Sequence, residues 1–234
     1  MEKLLTTPNG IASIVFFAFF LLASISNIVF SFLNMLKARA ISKPFCMSFL
    51  ALSSILALPT NWLIYVGAIC GLIGDVVYLF KSNKKCVLIG AMFFFLGHVS
   101  YLAQVLVLLG SKGLLTSATN WYAPVFILIS LLTFIPYMLF LTGKKKMFSM
   151  FGSIYGTTMM LYLVFSVYAS FCGLQHFFAV VAVGALLFII SDSYLVYGMF
   201  NKKTMKKRNF IVMLTYLSAQ ACIVTGLVLT ILNG

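Results

Sequence analysis

Two apolar stretches of the chain decide how it folds. Residues 66–80 read VGAICGLIGDVVYLF, and residues 183–197 read VGALLFIISDSYLVY. Each stretch holds one acid, Asp75 in the first and Asp192 in the second. A carboxylate inside a bilayer is costly or must take up a proton, so an acid in such a segment usually has a function. The rest of the sequence can be interpreted around these two residues.

The composition around these stretches is typical of a membrane protein. Of the 234 residues, 63% are hydrophobic and 8% are charged, whereas a soluble domain carries about 25% charged residues. The net charge of +13 does not indicate nucleic-acid binding, because the basic residues form short clusters between apolar segments. We therefore predict an all-α, polytopic transmembrane helix bundle. Residues 1–234 form a single integral membrane domain whose partners include membrane lipids and no nucleic acid.

The apolar segments predict eight membrane spans. A helix needs about 20 apolar residues to cross a bilayer. The second segment is the shortest, because Pro44 and Pro59 bracket it, and we expect it to open at Lys43-Pro44. Short connections make sequential helices antiparallel neighbours. The predicted spans are residues 11–34, 44–59, 62–80, 86–109, 122–142, 147–171, 176–200 and 210–231.

Basic residues predict the orientation of the bundle. Fourteen of the 16 Lys and Arg residues lie in loops after spans one, three, five and seven, and only Lys3 and Lys112 lie on the opposite side. Because Lys and Arg accumulate in cytoplasmic loops, these loops are predicted to be cytoplasmic and both termini non-cytoplasmic. This pattern fits both a bacterial cell membrane and a eukaryotic internal membrane. It does not indicate an oligomeric state. The fourteen residues are Lys37, Arg39, Lys43, Lys81, Lys84, Lys85, Lys144, Lys145, Lys146, Lys202, Lys203, Lys206, Lys207 and Arg208.

The two quoted stretches also indicate an internal repeat. Aligned without gaps, they share an initial Val-Gly-Ala and the aspartate, at an offset of 117 residues. We predict a 4+4 parallel repeat with halves of approximately residues 1–117 and 118–234, related by an axis along the membrane normal. Spans three and seven would then face each other. At 1.5 Å per residue, Asp75 and Asp192 lie about 9 and about 15 Å below the cytoplasmic boundary.

Two such acids in one cavity could perform acid–base chemistry. Carboxyl groups that share a low-dielectric site do not both keep a charge, so one neutral acid and one carboxylate coexist. That pair can protonate a substrate and activate water. The alternative is structural, with Asp75 and Asp192 each hydrogen-bonded to a neighbouring helix.

Other polar residues could support the pair. His98, near the middle of span four, could orient an acid, relay protons or make a structural hydrogen bond. Ser191 and Ser193 flank Asp192 and could hold it in place. The sequence has no P-loop, no H-E-x-x-H and no cluster of metal ligands, so we predict neither a metal nor another cofactor.

The chain resembles the YhhN family of eight-span membrane proteins, which includes the animal lysoplasmalogenases. Length, span number and motif order all match. The matching residues are Lys43-Pro44, Gly74-Asp75, Gly97-His98 with Tyr101, GALLFIISDS at residues 184–193, Leu214-Thr215-Tyr216 and Ala219-Gln220.

The resemblance implies a hydrolase for the vinyl ether bond of lysoplasmalogens. The substrate is a lysophospholipid, and the products are a fatty aldehyde and glycerophospho-ethanolamine or -choline. Asp75 and Asp192 are the implied catalytic pair, without a cofactor. A proton-coupled transporter, or a lipid-binding protein without turnover, could use the same pair and stays an alternative. The expected substrate-binding or supporting residues are Lys43 at the phosphate, His98, Tyr101, Ser191, Ser193, Tyr216 and Gln220.

Overall fold

The computed structural model describes residues 2–80, 83–114, 146–171, 176–200 and 207–233, together with residues 125, 128, 129 and 132. The predicted fifth span, residues 122–142, lies outside the ranges described continuously. All regular structure in these ranges is helical. The helices are α1 (Glu2–Thr6), α2 (Pro8–Phe32), α3 (Leu36–Ala57), α4 (Trp62–Tyr78), α5 (Lys84–Ser111), α6 (Lys146–Phe171), α7 (Phe177–Phe200) and α8 (Arg208–Asn233).

Six of the described helices, α2, α3, α5, α6, α7 and α8, are long and apolar enough to cross a membrane. Helix α4 is also apolar but has 17 residues. Together these seven helices correspond to seven of the eight predicted spans. Large apolar side chains such as Phe19, Leu22 and Ile25 are exposed on the outside of the bundle, as expected for a surface in contact with lipid. The prediction of an all-α, multi-pass membrane protein is confirmed.

The predicted start of the second span is wrong. Helix α3 begins at Leu36, and Pro44 lies inside it rather than at its start. The chain reverses within three residues at Asn34, which has a φ of 56°, a left-handed conformation that asparagine tolerates. Pro44 lacks an N–H, so the carbonyl of Ala40 loses its usual helical donor.

This early start changes the place of three basic residues. Lys37, Arg39 and Lys43 were assigned to a loop by the sequence analysis, but all three belong to α3. Buried Asn27 of α2 holds this part of α3 in place. Its Nδ2 donates to the carbonyl of Arg39 over 2.9 Å and to the hydroxyl of Ser42 over 2.8 Å. Lys43 therefore lies two helical turns inside α3.

Helix α8 lies at the centre of the described bundle. Within its most apolar window 56% of the residues are buried, compared with 22–39% in the other five long helices. It packs mainly on α7 and also contacts α2, α3, α4 and α5. A Cβ atom at Gly226 would lie 2.7 Å from Val181, and one at Gly184 would lie 2.9 Å from the carbonyl of Ala219. These small residues let α7 and α8 approach closely.

Helix α4 is positioned by its own glycines. A Cβ atom at Gly74 would lie 3.1 Å from the ring of Phe94 in α5, and one at Gly71 would lie 2.9 Å from Met47 in α3. Helices α4 and α7, expected to face each other, do not pack over an extended surface, whereas α8 contacts both. The four-helix repeat stays a prediction, because the span that would open the second half lies outside the continuously described ranges.

Candidate active site

A cavity of about 220 Å³ lies where α3, α4, α7 and α8 meet. Asp75 and Asp192 both line it, with Lys43, Ser191 and Tyr216. The lining residues come from the N-terminal parts of α3 and α8 and the C-terminal parts of α4 and α7, together with Phe94 of α5. All these helix ends belong to the side that carries the predicted cytoplasmic loops. The fold thus brings both acids to one cavity although α4 and α7 do not pack over an extended surface.

The carboxyl group of Asp75 is fully buried, and each of its oxygens has a partner. The ammonium of Lys43 lies 2.6 Å from Oδ1. The hydroxyl of Tyr216 donates to Oδ2 over 2.9 Å. Charge-assisted contacts of this kind are among the strongest polar contacts in proteins. The surroundings of Asp75 therefore compensate the charge of a carboxylate.

Aromatic rings surround the ammonium of Lys43. It lies 4.8 Å from the ring centroid of Tyr216 and 5.9 Å from those of Tyr78 and Phe94. A cation over an aromatic face is stabilised by the ring quadrupole. The Lys43 side chain is 16% exposed. In this structure the ammonium is engaged with Asp75, and a contact of Lys43 with the substrate phosphate stays a prediction.

Asp192 is half-buried and has a different partner. The hydroxyl of Tyr155, in α6, donates to its Oδ2. Within the part of the chain that the structure describes, no Lys or Arg lies within ion-pair distance of it. The neighbouring serines do not hold it. Ser191 donates to the carbonyl of Val212 in α8 over 3.1 Å, and Ser193 donates over 2.6 Å to a carbonyl of its own helix.

Tyr155 was not among the site residues predicted from the sequence. It is one of eleven tyrosines in the chain and belongs to no motif. Its contact with Asp192 spans 37 residues and depends on how α6 packs on α7. The only signal in the sequence is indirect, because a buried carboxyl group needs a hydrogen-bond donor.

Tyr101 and Gln220 form a second polar contact beside the cavity. The hydroxyl of Tyr101 donates to Oε1 of Gln220 over 2.9 Å, and both side chains are buried. Gln220 lies one turn after Tyr216 on α8, and neither Tyr101 nor Gln220 lines the cavity. This contact joins α5 to α8 and so helps to place Tyr216 against Asp75.

His98 lies in an aromatic cage rather than in the cavity. Its ring centroid is 4.3 Å from that of Phe188, 5.2 Å from that of Tyr155 and 5.7 Å from that of Tyr162. Neither ring nitrogen has a hydrogen-bond partner among the described residues. His98 does not line the cavity. Among the described residues, the ring of Tyr155 lies between it and Asp192.

Two arginines complete the charged lining. Arg39 of α3 and Arg208, the first residue of α8, both face the cavity. Arg208 donates from Nη1 to the carbonyl of Gly198 over 2.8 Å. The sequence analysis treated both arginines as loop charges and did not place them in the site. The described residues contain no group of three or more His, Cys, Asp or Glu side chains that could hold a metal ion.

A protein-family model matches residues 38–227, which include every residue discussed above for the cavity. The model is that of the YhhN family. The chain belongs to the YhhN family. The match begins just before Arg39 and ends within α8, so the YhhN region covers both aspartates and their partners. Searches of curated proteins and of solved structures found no match.

Proposed function

We propose that this YhhN-family membrane protein is a hydrolase that cleaves the vinyl ether bond of lysoplasmalogens. The products are a fatty aldehyde and glycerophospho-ethanolamine or -choline. The family includes lysoplasmalogenases. One observation carries the proposal: Asp75 and Asp192 line one cavity in chemically different surroundings. Carboxyl groups in unlike surroundings are suited to separate acid and base roles.

The partners of the two acids suggest which role each one takes. Asp75 has an ammonium on one oxygen and a phenol on the other, so it is the carboxylate of the pair. Asp192 has a phenol donor and no cation within ion-pair distance among the described residues. Asp192 is also more exposed than the fully buried Asp75. Asp192 is therefore the proton donor.

The first step transfers the proton of Asp192 to the alkene. The π electrons of the vinyl ether form a bond to this proton at the carbon that does not bear oxygen. The other carbon becomes an oxocarbenium ion, with its positive charge shared with the ether oxygen. Two carboxylates then line the cavity, and fixed negative charge stabilises a developing cation. This logic parallels that of glycosidases with two carboxyl groups.

The second step adds water and restores both acids. Water bonds to the oxocarbenium carbon and gives a proton to Asp75, which produces a hemiacetal. The carbon–oxygen bond to glycerol then breaks, Asp75 returns its proton to the glycerol oxygen, and the hemiacetal hydroxyl gives its proton to Asp192. Lys43 covers Asp75, so its ammonium moves off Oδ1 when water approaches. The flexible four-carbon stem of lysine permits this movement.

The test is an aldehyde assay on the full chain, purified in detergent. With a 1-alkenyl lysophospholipid we expect a fatty aldehyde, detected by a coupled aldehyde dehydrogenase. The 1-alkyl analogue, which lacks the double bond, is expected to remain intact. In D₂O the aldehyde should carry one deuterium on the carbon next to the carbonyl, because that carbon receives the proton. Absence of aldehyde above the level without protein refutes the function.

Substitutions at the pair test the mechanism. Removing a general acid or base costs about 10²–10⁴-fold in rate, so we expect Asp75→Asn and Asp192→Asn each to lose at least about 100-fold. Glu2→Gln is the matched control, because Glu2 is the third acid of the chain and α1 does not contribute to the cavity. Folded Asn variants of Asp75 and Asp192 with full activity would contradict the two-carboxylate mechanism. Turnover in detergent, without a sealed compartment, excludes pure transport.

A further inference from the structure

The cavity holds two arginines that form no ion pair with an acid among the described residues. The whole chain has three acids. Asp75 is paired with Lys43, and no ion pair to either arginine occurs among the described residues. Arg39 and Arg208 are both half-buried and both line the cavity. Asp192 lines the same cavity but forms no ion pair with either arginine among the described residues, so their positive charge can be met by an anion that enters the cavity.

Both arginines are held in place by backbone contacts. The carbonyl of Arg39 accepts a hydrogen bond from buried Asn27, which fixes this turn of α3. One N–H of the Arg208 guanidinium donates to the carbonyl of Gly198. A guanidinium has five such N–H donors. Both arginines line the same partly buried cavity, so their positive charges share one site. Like charges in a partly buried site are unfavourable until an anion lies between them.

We propose that Arg39 and Arg208 bind the phosphate of the lysolipid headgroup at the cavity. This inference rests on the proposed function and replaces Lys43, which is engaged with Asp75, as the phosphate contact. Arg39 lies one helical turn before Lys43 on α3, a rise of about 6 Å. Three glycerol carbons and two oxygens separate the phosphorus from the vinyl ether carbon in the substrate. A phosphate on the arginines thus leaves the reacting bond at the depth of the two acids.

The chemistry of the guanidinium predicts which part of the headgroup is recognised. Its planar fork binds two oxygens of one phosphate group. Neither arginine can hydrogen-bond a choline methyl group, and both repel its positive charge. The site therefore selects for the phosphate and discriminates weakly between ethanolamine and choline.

The kinetic test compares a lysophospholipid with a substrate that lacks phosphate. Losing charge-assisted hydrogen bonds should raise the KM for 1-alkenyl lysophosphatidylcholine at least about tenfold in Arg39→Gln/Arg208→Gln, with kcat nearly unchanged. Turnover of 1-alkenylglycerol should not change. The matched control is Lys37→Gln/Lys85→Gln, which removes the same charge from two exposed lysines on the same predicted side that do not line the cavity. An unchanged KM in the arginine variant overturns the proposal.

A binding test separates this site from the proposed reaction. We expect 1-acyl lysophosphatidylcholine to raise the melting temperature of the wild type and of the lysine control in detergent, but not that of the arginine variant. Monoacylglycerol of the same chain length should act equally on all three. If the protein shows this arginine-dependent shift but no turnover, the phosphate site is supported and the proposed hydrolase function is refuted. A full shift with inorganic phosphate alone overturns the lipid assignment.

A conservative variant keeps the proposal testable if the glutamine variant misfolds. Arg39→Lys/Arg208→Lys keeps both charges but removes the planar forks, so its KM should lie between those of the wild type and the glutamine variant. If the glutamine variant does not fold, the lysine variant is measured in its place. A KM equal to that of the wild type then overturns the proposal.

Discussion

Breaking the ion pair between Lys43 and Asp75 gives the sharpest test of the described packing. The two charges lie 2.6 Å apart, and Asp75 is 0% exposed. With an effective dielectric constant of about 20, Coulomb's law gives an attraction of about 6 kcal/mol at this distance. The cost of removing both charges from water offsets much of it, yet removing one partner costs about 3–5 kcal/mol. We therefore expect Lys43→Met to lower the free energy of unfolding by about 3–5 kcal/mol.

The reverse substitution should cost less. In Asp75→Asn the ammonium of Lys43 is unpaired, but its side chain is 16% exposed and can turn toward the cavity. We expect a loss of about 1–3 kcal/mol, the cost of an unsatisfied polar group. The double variant Lys43→Met/Asp75→Asn contains neither charge. It should be more stable than the sum of the single losses implies, by about 0.5–3 kcal/mol.

Thermal unfolding in detergent measures these differences. A loss of 1 kcal/mol lowers the Tm of a chain of this size by about 2–4 °C, so Lys43→Met should melt about 6–20 °C lower than the wild type. Lys37→Met, at an exposed position of the same helix, is the control and should melt close to the wild type. The reasoning is refuted if Lys43→Met melts like this control, or if the double variant loses the sum of the two single losses.

Three further predictions use the same preparation. Tyr155→Phe removes the hydroxyl that donates to Asp192; we expect kcat for aldehyde release to fall about tenfold with a stability loss of about 1 kcal/mol. Gly226→Ala places a methyl group 2.7 Å from a side chain of α7 and should lower the free energy of unfolding by about 1–3 kcal/mol. Gly90→Ala, whose methyl group would have its nearest atom at 3.3 Å, is the control and should lower it less; thermal unfolding measures both. His98→Phe loses no hydrogen bond to a described residue, so Tm and activity should be retained; a loss of about 100-fold or more would instead indicate a proton relay.

The sequence predicts the helices well because lipid imposes their length. A span needs about 20 apolar residues, and the predicted residues 62–80 and 147–171 differ by two residues or fewer at each end from Trp62–Tyr78 and Lys146–Phe171. The start of α3 was wrong because Pro44 and the basic residues before it were interpreted as a loop. Proline removes only one hydrogen bond from a helix. Long basic side chains can extend from a helix toward water, so neither feature ended α3.

The candidate site is predictable only in part. Asp75 and Asp192 can be identified as candidate site residues from the sequence alone. A carboxyl group is rare in an apolar segment because its burial there costs free energy. Their partners depend on which helices pack together. Lys43 meets Asp75 because α3 packs on α4, and Tyr155 meets Asp192 because α6 packs on α7. Residue spacing within one helix holds no information about such contacts.

The central position of α8 has a consequence for biosynthesis. Helices α2, α3, α4, α5 and α7, which α8 contacts, are all translated before it. Asp75 and Lys43 therefore enter the membrane before Tyr216 has left the ribosome. Translation that stops ahead of Arg208 leaves a partly assembled bundle whose polar groups are uncovered in lipid.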